Sequence, residues 1–185
     1  MRTLLFAVLL ACCGCSAESD GPITPKEPEF LVPDHSLPAF GGQLVGTDRG
    51  EFVGKLMFQD EAGDLQTLLD ENVHGIVENP AGIFVFTGLA HLGNNEGYIY
   101  IVSLGADERV KTVLLGRLPG APTQVTLQPD GSATFLVYSG YSGDRQLYEC
   151  YSLTGKIVRR SQDCLPPKAM GSNNSFKPKP LRGSA

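Results

Sequence analysis

From about residue 40 the chain repeats short apolar runs broken by polar turns. Gly82-Ile83-Phe84-Val85-Phe86-Thr87 is β-branched and aromatic and follows a Pro-Ala-Gly turn. Tyr98-Ile99-Tyr100-Ile101-Val102 follows Gly93-Asn94-Asn95-Glu96-Gly97, and Thr112-Val113-Leu114-Leu115 comes next. Thr123–Leu127, Ala133–Tyr138 and Leu147–Leu153 complete the series. Runs of this length, rich in Val, Ile, Tyr and Phe and punctuated by Gly, Asn and Asp, predict an all-β chain of antiparallel meanders. Only Asp64–Asn72 (DLQTLLDEN) reads as a short helix.

The pattern repeats at an offset of 49 residues. Asn79-Pro80-Ala81-Gly82 aligns with Gln128-Pro129-Asp130-Gly131, and Ser103-Leu104 with Ser152-Leu153. Tyr98–Val102 then falls on Leu147–Tyr151. A fainter earlier copy is read at Thr47-Asp48-Arg49-Gly50, Phe52–Phe58 and Thr67-Leu68-Leu69. Proline presets φ at the first turn position and glycine relieves strain at the next, as a tight hairpin needs. Val125–Gly131 and Tyr151–Lys156 resemble the hairpin turns of β-propeller-type repeats, and the period lies in the range of propeller blades. The resemblance covers residues 73–160 and implies blade-like four-stranded units. Residues 39–164 hold at most three such units, whereas rings close with about four to eight. The expectation is an incomplete propeller-like arc or a compact β domain. Two chains completing a ring remain an alternative, since an exposed sheet edge invites pairing.

Before this body stand two segments of different character. Residues 1–17 (MRTLLFAVLLACCGCSA) place Arg2 ahead of a short apolar core and then small residues, the layout of a secretory signal too short to span a bilayer. Cys12, Cys13 and Cys15 cluster where cleavage would fall. This clustering resembles the leader of a bacterial lipoprotein, in which a cysteine after an apolar-then-small box is lipidated and becomes the new N-terminus. Leu9-Leu10-Ala11-Cys12 fits that box best and departs from it only at Leu10; Cys15 and Cys13 fit less well. Ordinary cleavage after Ala17 and secretion is the alternative. Residues 18–38 carry prolines at 22, 25, 28, 33 and 38, which disfavour helix and inner strand and predict an extended tether.

Composition and charge narrow the function. The chain is 42% hydrophobic and 19% charged, with 22 Gly, 13 Pro and no Trp. Residues 39–164 carry nine basic against fifteen acidic groups, whereas residues 165–185 carry four basic groups and no acid. An acidic body lacks the positive surface that phosphate backbones require, so no nucleic-acid partner is expected. The basic tail is expected to be a flexible end.

Cys150 and Cys164 are the only cysteines after the leader. In an oxidising compartment they are expected to pair. The stretch Thr87–Gly97 holds His91, Asn94, Asn95 and Glu96, and with His74 forms the candidate binding loop. Its spacing matches no short metal motif, and no catalytic residue, metal or cofactor is assigned. Gly140-Tyr141-Ser142-Gly143-Asp144 lacks the last glycine of a nucleophile elbow. Asp60-Glu61-Ala62-Gly63-Asp64 lacks calcium-loop spacing and reads as a hairpin tip. The expected function is a lipid-anchored binding or scaffold module at the cell envelope, with the membrane as one partner and an unidentified protein or small ligand as another. The alternative is a hydrolytic or metal-dependent enzyme using His74, His91 and Glu96.

Overall fold

A computed structural model describes residues 32–164, among which there are twelve strands and no helix. The leader cysteines Cys12, Cys13 and Cys15, most of the Pro-rich segment and the basic tail lie outside the described residues. The strands form three four-stranded antiparallel sheets, each a simple meander in chain order. Sheet 1 holds β1 (His35–Ala39), β2 (Gly42–Gly46), β3 (Leu56–Asp60) and β4 (Leu65–Leu69). Sheet 2 holds β5 (Val73–Asn79), β6 (Gly82–His91), β7 (Asn94–Leu104) and β8 (Val110–Leu118). Sheet 3 holds β9 (Pro122–Leu127), β10 (Ala133–Ser142), β11 (Arg145–Thr154) and β12 (Ile157–Arg160). None of the sheets closes into a barrel.

The 49-residue repeat maps onto sheets 2 and 3. Its two Pro-containing turns join β5 to β6 and β9 to β10, and every strand read from Gly82 onward falls within an observed strand. Sheet 2 lies between the other two, which explains the uninterrupted apolar run of β6. Ile83 and Val85 face sheet 1, in a core with Leu44, Leu56, Val73 and Val102. Phe84 and Phe86 face sheet 3, in a core with Ile99, Phe135, Val137 and Leu153. Alternation along a strand sends successive side chains to opposite faces, so a strand covered on both sides must be apolar throughout. The Phe86 and Phe135 rings sit 4.8 Å apart and tie sheets 2 and 3.

The inner strands approach closely because glycine lines the contacts. A Cβ on Gly46 of β2 would stand 2.5 Å from a Val73 methyl carbon, and one on Gly75 of β5 would stand 2.7 Å from Val125 Cβ. The same device thus seats sheet 1 on sheet 2 and sheet 2 on sheet 3.

Four details differ from the sequence reading. Asp64–Asn72 is not a helix: Leu65–Leu69 is strand β4, which pairs with β3 and packs Leu68 and Leu69 on the core, and a nine-residue helix is marginal without packing of its own. Strand β1 begins at His35, inside the predicted tether. Pro38 is tolerated there because β1 pairs only with β2 and forms the edge of its sheet. The first unit therefore starts at residue 35, and its first tight turn is Phe40-Gly41, with φ of 54° and 73°, rather than the stretch around Thr47. Finally, Asn94–Glu96 belong to β7. The β6–β7 turn is only Leu92-Gly93, at φ 46° and 92°, the doubly positive pair of a type I′ hairpin.

The Cys150–Cys164 disulfide is formed, with Cα atoms 5.7 Å apart. Cys150 pairs across the ladder with Leu136, and Cys164 Sγ lies 3.1 Å from the Phe135 carbonyl oxygen. The bond fastens the chain after β12 back across the centre of sheet 3. As predicted, Asp60–Asp64 forms the β3–β4 hairpin tip, where Asp64 N donates to Asp60 Oδ1 at 2.9 Å.

Candidate functional site

A cleft of about 660 Å³ opens where the three sheets meet, and each sheet contributes to its walls. Sheet 1 supplies Asp48 from the connection between β2 and β3. Sheet 2 supplies His74 on β5 and the end of the β6–β7 hairpin. Sheet 3 supplies Pro122 and Thr123 from β9 and a group of tyrosines from β10 and β11.

The Asp48 wall is built by Asn72. Its Oδ1 accepts from Arg49 N at 2.9 Å and from Gly54 N at 2.7 Å, while its Nδ2 donates to Gly50 O at 2.6 Å. Gly54 can sit this close because a Cβ there would stand 2.1 Å from the Thr47 carbonyl oxygen. The clamped loop brings Asp48 Oδ2 to 3.2 Å from His74 Nδ1. The His74 hydrogen bond holds the Asp48 carboxyl below its usual range, against the opposing effect of burial. The other ring nitrogen of His74, Nε2, lies 3.0 Å from the Gly88 carbonyl oxygen. Both partners are acceptors, so both interactions are hydrogen bonds only when both ring nitrogens carry hydrogen. Asp34 adds to this network by accepting from Asp48 N at 2.7 Å. Next to it, burial lowers the His35 imidazole from its ordinary value, partly offset by the Asp34 charge.

On the opposite wall Asn95 is a bridge between sheets. Its Oδ1 accepts from Ala121 N at 2.9 Å and its Nδ2 donates to Tyr138 O at 2.9 Å. Tyr138 meets Tyr141 and Tyr148 edge to face, with centroid separations of 5.7 and 5.9 Å. Gln146 spans the outer two rings, accepting from Tyr148 Oη at 2.8 Å and donating to Tyr141 Oη at 3.4 Å. Gln124 of β9, at φ 50°, is a non-glycine residue in the left-handed region inside a strand, one residue from the cleft.

No match is found for this chain among protein-family models, curated proteins or solved structures. The cleft is therefore read from its own chemistry.

Of the predicted site residues, His74, His91, Asn94 and Asn95 all line this cleft, and Glu96 does not. Glu96 accepts from Tyr98 Oη at 2.7 Å and borders a separate cavity of about 200 Å³ with Glu51, Asp70 and Glu71. His91 is turned to Glu51, its Nε2 3.4 Å from Oε2. The three residues of the enzymatic alternative thus have three different partners. Among the described residues no group of three His, Cys, Asp or Glu side chains is placed to hold a metal ion. In the smaller cavity Glu71 accepts from Tyr100 Oη at 2.7 Å and from Thr87 Oγ1. Burial, then the Glu71 hydrogen bond, raises the Tyr100 phenol well above its ordinary value.

Sequence reasoning missed Asp48 and the three tyrosines as site residues. Asp48 counted only as part of a repeated turn. For the tyrosines a signal existed: Gly143-Asp144 is a hairpin turn, and folding β10 onto β11 about it sets Tyr138 opposite Tyr148.

Proposed function

We propose that this protein is an exported, lipid-anchored binding module whose ligand occupies the three-sheet cleft. The observation that carries the reading is the way the cleft is built. Separate side-chain clamps, Asn72 on one wall and Asn95 on the other, fix loops from all three sheets around one open volume. Binding sites are concave, mostly preformed and lined by apolar surface with a few placed polar groups. The cleft has that character. Both ring nitrogens of His74 lie against protein oxygens, those of Asp48 and Gly88, which orients the ring as part of the wall. The leader supports export and an anchor at Cys12, and the disulfide is compatible with an oxidising compartment.

Two measurements test the proposal. Fatty-acid labelling of the full chain should be retained in wild type and lost in Cys12→Ser; equal labelling of Cys12→Ser, or none in wild type, overturns the anchor. A thermal-shift screen of small anionic, neutral and cationic metabolites should give hits whose stabilisation disappears in Tyr141→Ala. A screen without hits, or hits indifferent to that change, overturns the cleft as the binding site.

A further inference from the structure

We infer that the tyrosine wall of the cleft is a receptor for an organic ammonium ion, a deepening that rests on the cleft being the binding site. Three observations converge. Tyr138, Tyr141 and Tyr148 come from two paired strands and meet at interplanar angles of 76° and 66°. Each edge-to-face contact covers only one face of one ring, so π surface of the three rings remains for a ligand, and Tyr141 is 63% exposed. The face of an aromatic ring is its negative region, and a cation within about 6 Å of the centroid is attracted to it.

The second observation is charge. Among the described residues lining the cleft there is no lysine or arginine, while Asp48 is one of its walls. Glu51, which borders the neighbouring cavity, holds a carboxylate 3.4 Å from the cleft residue His91. No lysine or arginine is there to pair an anionic ligand, and the formal net charge of the chain is −5. A cation meets the Asp48 carboxylate among the lining residues and the tyrosine rings among the others.

The third is rigidity. Gln146 ties Tyr148 to Tyr141 by side-chain hydrogen bonds, and Asn95 holds the Tyr138 carbonyl. A cage whose rings are already positioned loses little side-chain freedom when it binds.

The absence of tryptophan makes the test direct, since intrinsic fluorescence then reports only the six tyrosines, three of them on this wall. Choline is titrated into the full chain while tyrosine emission is followed, beside its uncharged tert-butyl isostere. A saturable change is expected with choline, at least about tenfold tighter than with the isostere. Tyr141→Ala, at an exposed position, is expected to keep the wild-type circular dichroism spectrum and to weaken choline by about tenfold. Equal affinity for the isostere overturns the ammonium reading and leaves the cleft a binding site for an uncharged ligand. A saturable response that Tyr141→Ala does not weaken places the ion elsewhere and overturns the inference, as does the lack of any saturable response.

Discussion

Sheets 2 and 3 are built alike, and sheet 1 is not. In sheets 2 and 3 the central hairpins, β6–β7 and β10–β11, are long and close through two-residue turns. In sheet 1 all four strands are five residues long, and β2 joins β3 through the connection 47–55. The long hairpins carry the aromatic core and extend beyond it to form the cleft's outer walls. The short sheet gives up strand length, and the loop it gains in return delivers Asp48 to His74. Regular repeats thus supply the scaffold, and the irregular one supplies the loop that completes the site. Phe52 and Val53 on that loop are 70% and 63% exposed, consistent with a segment selected for something other than core packing.

The comparison breaks most visibly at the shared core of the two regular sheets. Phe135 is fully buried and packs on Phe86 from sheet 2 and Tyr151 from its own sheet. Phe135→Ala is expected to lower stability by about 3–5 kcal/mol in chemical denaturation. Leu44→Ala, fully buried between sheets 1 and 2, is expected to cost about 2–5 kcal/mol. A Leu44 variant that unfolds sheet 1 alone, seen as a separate early transition, would show that the irregular sheet is not part of one cooperative unit.

Reduction of Cys150–Cys164 comes next. The bond joins positions 14 apart in sequence, and its loss is expected to cost about 3 kcal/mol on the chain-entropy account. Because it lies across sheet 3, amide exchange should rise first in β11 and β12. An even rise over sheets 1 and 3 would contradict a local staple.

Asn72→Ala should cost less globally, about 1–3 kcal/mol, because the buried Gly54 N–H and two further backbone groups lose their hydrogen bonds. Its specific effect is on the loop. Proteolysis between Arg49 and Lys55 should accelerate while the β6–β7 hairpin stays protected, and ligand affinity at the cleft should fall with it. Unchanged cleavage would show that the loop is held by other contacts.

How much of this could be read from the sequence follows the same division. The regular sheets were legible because each strand is long, β-rich and bounded by turn residues, and because their Pro-Gly turns recur at one offset. The disulfide was legible from the cysteine count and the export expected from the leader. Sheet 1 was not, for local reasons. Strand β1 lies in a proline-rich stretch, and only its pairing with β2 makes it a strand. Strand β4 is leucine-rich, and its five residues carry neither period clearly. The site was half legible. Loop residues such as His91 and Asn95 stood out by type, but which cavity each side chain enters depends on pairing and on partners from other parts of the chain, such as Glu51 for His91 and Ala121 for Asn95. Asp48 and His74 are far apart in sequence and meet only because the Asn72 clamp folds the loop back.

The smallest expected effect is the response of that junction to acid, and its sign can be worked out. Asp48 has a depressed folded-state pKa, chiefly through its His74 hydrogen bond, so its contribution is present above the unfolded carboxylate value of 3.8 and is lost as pH falls through the folded value. Burial lowers His35 below 6.5, so the fold favours the neutral ring. It adds nothing above 6.5 and destabilises increasingly as pH falls from there toward the folded value, since the unfolded chain then binds more protons. Both groups therefore push the same way, and sheet 1's inner edge should weaken stepwise on acidification, in two windows. Thermal unfolding followed from neutral pH downward should show a shallow decline beginning near pH 6.5 that is absent in His35→Asn. A second decline, below the usual carboxylate range, should be blunted in Asp48→Asn. Sheets 2 and 3 carry no such pair at their shared core, so exchange of β6 and β10 amides should hardly respond across the first window. A loss of protection there as large as in β1 and β2 would mean that acid acts on the whole domain and not on the junction that Asp48, His74 and His35 share.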